Sequence, residues 1–153
     1  MPTYLSPHFT LEELIKSDIA LRHNIDNTPT SEVVDCLAAT ANAILEPVRR
    51  HFSVAFAPTS GFRCPLLNAL VKGSASSQHT VGQAVDFEVP GHTNYEVAAW
   101  INVNLDYDQL ILEFYRPGMP DSGWVHCSFK GKDTNRLQAL TFDGHQFHNS
   151  LIA

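Results

Sequence analysis

Residues 77–86, Ser-Gln-His-Thr-Val-Gly-Gln-Ala-Val-Asp, set an imidazole and a carboxylate on either side of one glycine. A second imidazole follows in Trp124-Val125-His126. Gly82 permits a tight reversal between His79 and Asp86, so both side chains can reach one point. On a strand from Trp124 to Phe129, Trp124, His126 and Ser128 share one face, leaving Val125 and Cys127 for the core. A fold satisfying both segments carries polar, titratable groups on one side of a sheet and apolar packing on the other. Two imidazoles and a carboxylate, with a fourth position open to water, form a common ligand set for catalytic zinc. The chemistry this suggests is hydrolysis by an activated water.

The chain's 153 residues suit a single domain, 1–153, large enough to bury a substantial core. A formal net charge of −6 argues against a nucleic-acid partner, which would call for a basic face. No apolar run is long enough to insert in a membrane, and the expected form is a monomer. The first residues, Met1-Pro2-Thr3-Tyr4-Leu5, have neither a basic nor an apolar leader region. Synthesis in the cytoplasm without a Sec-type signal is therefore expected, with any action on a cell wall following host lysis or delivery within a larger particle. Cys36, Cys64 and Cys127 form no CxxC pair, so they are expected as free thiols and not as a thiolate metal site.

Thr10-Leu11-Glu12-Glu13 has capping-box spacing and predicts a helix start, with Phe9 and Leu14 placed as a hydrophobic staple. Val33, Val34, Leu37, Ala41, Ile44, Leu45 and Val48 recur at helical spacing, with Pro47 late in the run as a bend or an end. Residues 52–57 read as a strand, 65–72 as a short helix and 83–89 as a strand. A helix is expected over 94–105 and strands over 109–114, 124–129 and 137–142. Helices first and strands afterwards predict an α+β fold with a small antiparallel sheet. His145 and His148 are expected in an exposed tail.

Ser77-x-His79-x-x-Gly82-x-Ala84-x-Asp86, with Ser60-Gly61-Phe62-Arg63 before it and Trp124-Val125-His126-x-Ser128 after it, resembles the zinc D-Ala-D-Ala carboxypeptidase family. That family includes the L-alanyl-D-glutamate endopeptidases of phage endolysins. Leu5 to Leu14 and Asp26-Asn27-Thr28-Pro29 resemble a phage and bacterial subgroup, so the likeness spans nearly the whole chain. It implies a hedgehog-like fold, one zinc ion held by His79, Asp86 and His126, and peptidoglycan stem peptides as substrate. It also gives Arg63 a role in binding a substrate carboxylate or polarising the scissile carbonyl, for which a planar guanidinium is suited. Carboxypeptidase and endopeptidase activity are both compatible with the motifs.

One position departs from the pattern. Many relatives carry a glutamate general base three residues before the last zinc histidine, where this chain has Gly123. Glu113, inside the apolar run Leu110-Ile111-Leu112-Glu113-Phe114, is the first replacement, because a carboxylate there is costly unless paired or functional. Pairing with Arg116 is its structural alternative. Asp121 is the second candidate base, and Glu88 lies at the edge of the expected cleft. Ser77 is a candidate for binding substrate or a metal ligand. A zinc-binding but non-catalytic module, or a component of a phage particle, is the alternative that Gly123 leaves open.

Overall fold

The computed structural model describes residues 1–153. Three segments form one long N-terminal helical rod: α3 (Ser31–Thr40), a π-helical turn (Ala41–Leu45) and α4 (Glu46–Phe52). Pro47 explains the π turn. Proline has no N–H to donate, and just ahead of it the Glu46 N–H reaches back five residues to the Ala41 carbonyl. The ladder is thereby reset without breaking the helix. Leu37, Ala41, Ile44, Leu45 and Val48 from this rod are fully buried. Two short helices precede it, α1 (Leu11–Ile15) and α2 (Asp18–Arg22). The former starts with the expected capping box between Thr10 and Glu13, whereas α2 carries no apolar stripe long enough to announce it.

The remaining helices are α5 (Pro65–Leu70) and α6 (Asn94–Asn104). The five strands are β1 (Ala84–Phe87), β2 (Gln109–Glu113), β3 (Trp124–Ser128), β4 (Gln138–Phe142) and β5 (Phe147–His148), in the order β1-β3-β2-β4-β5. The expected α+β class is present. The sheet, however, is mixed and not wholly antiparallel, because β2 and β4 run parallel. After β3 the chain crosses over β2 before pairing, and β2 and β4 both oppose β3 in direction, so they match each other.

Two further expectations are corrected. Residues 52–57 form no strand: Phe52 ends α4, and Ser53 turns the chain with φ 56°. The alternation there serves packing alone, with Phe56 against Phe87 at 5.3 Å and Phe9 at 5.4 Å between ring centroids. His145 is exposed as expected, but the C-terminal tail is ordered onto the sheet, where β5 pairs with β4 and His148 Nε2 lies 2.9 Å from Asp143.

The two faces of the sheet have separate duties. Val85, Phe87, Leu110, Leu112, Val125 and Cys127 point into the helical layer and are fully buried. Their neighbours in sequence, Asp86, Ile111, Glu113, Trp124 and His126, line a cleft on the opposite face, as the period of two in a strand requires.

Candidate metal centre and active-site cleft

The register of β1 against β3 pairs Asp86 directly with His126. His79 arrives from a short 3₁₀ turn (Gln78–Val81) that ends at Gly82 with φ 78°. Any Cβ at Gly82 would also lie 2.7 Å from the Val33 carbonyl oxygen, so both conformation and space favour glycine. The ligand atoms offered by His79, Asp86 and His126 lie within 4.8 Å of one another, and all three residues are buried.

The donor geometry suits a metal ion. His79 Nδ1 lies 2.7 Å from the Gly61 carbonyl oxygen. A carbonyl only accepts, so this nitrogen carries the proton and Nε2 is free to ligate. His79 Nε2 stands 3.3 Å from Asp86 Oδ2, and His126 Nδ1 stands 3.0 Å from Asp86 Oδ1. Ligand atoms around a tetrahedral zinc with bonds of ~2.0–2.1 Å stand roughly 3.3 Å apart. Burial alone would raise the Asp86 carboxyl, but the adjacent His79 and His126 imidazoles outweigh it and hold the group well below the ordinary carboxylate range. The carboxylate is thus kept in its ligating, ionised form.

The cleft above this cluster has a volume of about 620 Å³ and is also lined by Arg63, Ser77 and Glu113. Glu113 pairs across the sheet with Trp124, and Ile111 with His126, so all four share the cleft face. Burial raises the Glu113 carboxyl above its usual value and Asp86 adds to the rise, while His126 and Arg63 oppose it. Glu113 takes no part in the chain's ion pairs, and Arg116 does not meet it. The Arg63 guanidinium is braced by Asn68 Oδ1 at 3.2 Å and Ser60 Oγ at 3.3 Å, on the same cleft. Ser77 Oγ accepts from the His79 N–H at 3.2 Å and caps the 3₁₀ turn that delivers the imidazole.

Asp121 lies elsewhere. It is exposed, absent from the cleft lining, and its backbone carbonyl is tied to Asn94 at 3.2 Å. Glu88 is likewise outside, bonded to Asn94 Nδ2 at 2.9 Å.

Three residues support the site in ways the sequence did not show, although Asn27 and Gly61 stand within the motifs that carry the resemblance. Asn68, 3% exposed, holds Arg63 on one side and donates to the Ser74 carbonyl at 2.8 Å on the other. Asn27 donates to the Ile15 and Phe62 carbonyls and accepts the Cys64 N–H at 2.7 Å, fixing the loop around Arg63. Gly61 passes so close to α1 that a Cβ would meet the Leu14 carbonyl oxygen at 2.2 Å. Buried asparagines satisfying several backbone groups become visible only once those groups have been brought together.

The family model described as Peptidase M15 matches residues 7–128, which include every cleft residue named so far. The chain belongs to the peptidase M15 family. Peptidases of this family are zinc-dependent, in accord with the donor set found here. Comparison with curated proteins returns no match. The M15 match ends at Ser128, the last residue of β3, so β4 and β5 lie beyond it.

Proposed function

We propose that the chain is a zinc peptidase that hydrolyses peptide bonds in the stem peptides of bacterial peptidoglycan. The observation that carries this reading is the convergence of His79, Asp86 and His126 on the floor of a cleft that also holds Glu113 and Arg63. Structural metal sites are closed by protein ligands, whereas three ligands opening on a cleft leave room for water and substrate.

Zinc, when bound by His79 Nε2, the Asp86 carboxylate and His126 Nδ1, supplies Lewis acidity and lowers the pKa of water at that point. The protein's own groups do the rest. Glu113 faces the same cleft without a fixed partner, and its raised carboxyl is suited to taking a proton from the attacking water and giving it to the departing amine. Arg63, held by Asn68 and Ser60, presents fixed positive charge to a substrate carboxylate or to the oxygen on which negative charge develops. The Gly61 carbonyl keeps His79 in one tautomer and one orientation.

The test is mass spectrometry of products after incubating zinc-loaded protein with purified peptidoglycan and with defined stem peptides, with and without chelator. Chelator-sensitive release of D-Ala establishes a carboxypeptidase. Cleavage between L-Ala and D-Glu establishes an endopeptidase. Stoichiometric zinc with no cleavage of either material overturns the reading in favour of a non-catalytic zinc module.

A further inference from the structure

Four aromatic side chains run as one wall from the His126 strand to the far edge of the sheet. Trp124 stacks on Phe114 at 5.2 Å between ring centroids, Phe114 meets Phe142 at 5.1 Å, and Phe142 stacks on Phe147 at 4.6 Å with planes 15° apart. All four line the cleft that holds the His79–Asp86–His126 cluster. The wall is not buried core: Phe114 is 50% and Phe147 56% exposed. Phe114 is also held at φ 51°, a left-handed conformation that is costly for a non-glycine residue. A half-exposed ring recovers little of that cost through burial, and such local strain is a feature of binding sites.

The outer half of the wall comes from β4 and β5, beyond the residues that match the family. The same segment brings Arg136 to the cleft, its guanidinium held by Asp108 at 3.0 and 2.8 Å. Gln109 lines the cleft as well, and its Nε2 donates to Oε1 of its neighbour Gln138 at 2.8 Å. An apolar wall edged by a few oriented polar groups is the usual composition of a ligand subsite.

We propose that this wall is a saccharide subsite, on which a pyranose ring of the glycan carrying the stem peptide lays its flat C–H face. The proposal rests on the peptidoglycan reading above and adds to it which part of the polymer the cleft recognises. Stem peptides offer methyl groups, carboxylates and amine side chains, with no apolar surface broad enough to cover several rings. A pyranose offers a flat C–H face about the size of one aromatic ring, so successive sugars of a glycan can cover successive rings. Its edge carries hydroxyl and acetamido groups within the chemical repertoire of Gln109 and Arg136. A sugar bound beside the metal cluster also places the scissile bond near the glycan end of the stem, which favours an endopeptidase over removal of the terminal residue.

The test compares kcat/KM on two substrates that share one scissile bond, a stem peptide attached to its disaccharide and the same peptide without sugar. Wild-type protein should prefer the disaccharide-linked form, and Phe147→Ala should reduce that preference about tenfold. Phe147 is exposed, so its truncation leaves the core intact, which thermal unfolding verifies. A preference ratio unchanged by the substitution, whether both rates fall together or neither does, overturns the subsite. Failure of the peptidase reading itself has a different signature, with wild-type protein cleaving neither substrate. The subsite is then judged by saturation-transfer NMR with the peptide-free disaccharide of N-acetylglucosamine and N-acetylmuramic acid. Transfer to sugar protons that weakens in Phe147→Ala supports it; no transfer, or equal transfer in both proteins, overturns it.

Discussion

Gly123 sits so close to Glu113 that a Cβ at position 123 would lie 1.8 Å from the Glu113 carbonyl oxygen. The Phe114 carbonyl oxygen would be only 2.8 Å away, and Gly123 has φ 64°. The tight approach of β2 and β3 at this point therefore excludes a side chain where many relatives place their general base. Gly123→Glu is expected to destabilise the protein by about 3 kcal/mol or more, through backbone clash and left-handed strain, without raising turnover. Chemical denaturation of the metal-free variant measures the first effect. Near-normal stability with increased activity would show that the β2–β3 end can relax and that position 123 still belongs to the catalytic apparatus.

The same close approach leaves Glu113 as the carboxylate facing the cluster. Glu113→Gln should retain stoichiometric metal and lose about 10²- to 10⁴-fold in kcat, the usual worth of a general base. Its effect on stability should have the opposite sign. Burial raises the Glu113 carboxyl, so in the metal-free protein its favourable contribution exists at low pH and is lost as pH rises through the raised value. At neutral pH in chelator, the glutamine variant should melt no lower than the parent. A variant that melts lower and still turns over normally would make Glu113 a structural residue.

His126→Ala removes one of three ligands and should abolish stoichiometric metal binding, read by elemental analysis after gel filtration. Thermal stability gives an independent view. Metal at about 100 times its dissociation constant stabilises a binding-competent fold by about 2.7 kcal/mol, so wild-type protein should show an upward shift in Tm that the variant lacks. An equal shift in both proteins would place the stabilising ion elsewhere.

How much was legible in the sequence varied with the range of the interactions. The capping box at Thr10 and Glu13, the apolar stripe of α3 and the alternation of β1 and β3 are local patterns, and the structure realises them. Residues 52–57 alternate in the same manner yet pair with nothing, because alternation reports which side chains are buried and says nothing of backbone partners. The parallel pairing of β2 with β4 depends on a crossover, and the bracing of Arg63 by Asn68 depends on a loop returning from Ser74. Neither relation has a short-range signature. The outer half of the aromatic wall was hidden for the same reason, since Phe142 and Phe147 come next to Phe114 only after the sheet has formed.

Asp108 supplies a further test, because it joins the loop of His79 to the C-terminal strands. It is fully buried and accepts from Arg136 through the backbone N–H at 2.9 Å, Nε at 3.0 Å and Nη2 at 2.8 Å. It also accepts from Gln78 Nε2 at 2.9 Å, one residue before His79. The hydrogen bonds from Arg136 hold the Asp108 carboxyl below its ordinary value despite burial. A depressed carboxyl contributes stability that is present above the unfolded value, roughly pH 3.9, and is lost as pH falls through the folded value. Asp108→Asn should therefore cost about 1–3 kcal/mol at neutral pH, the range for bonds to a charged group, and the deficit should shrink in acid as the parent loses the same interactions. Gln78 loses its charged acceptor in this variant, so metal affinity should also fall, by about tenfold if the His79 loop loosens as supporting shells do. A constant stability deficit across pH with unaltered metal affinity would show that Asp108 fills space beneath the loop without holding it by charge.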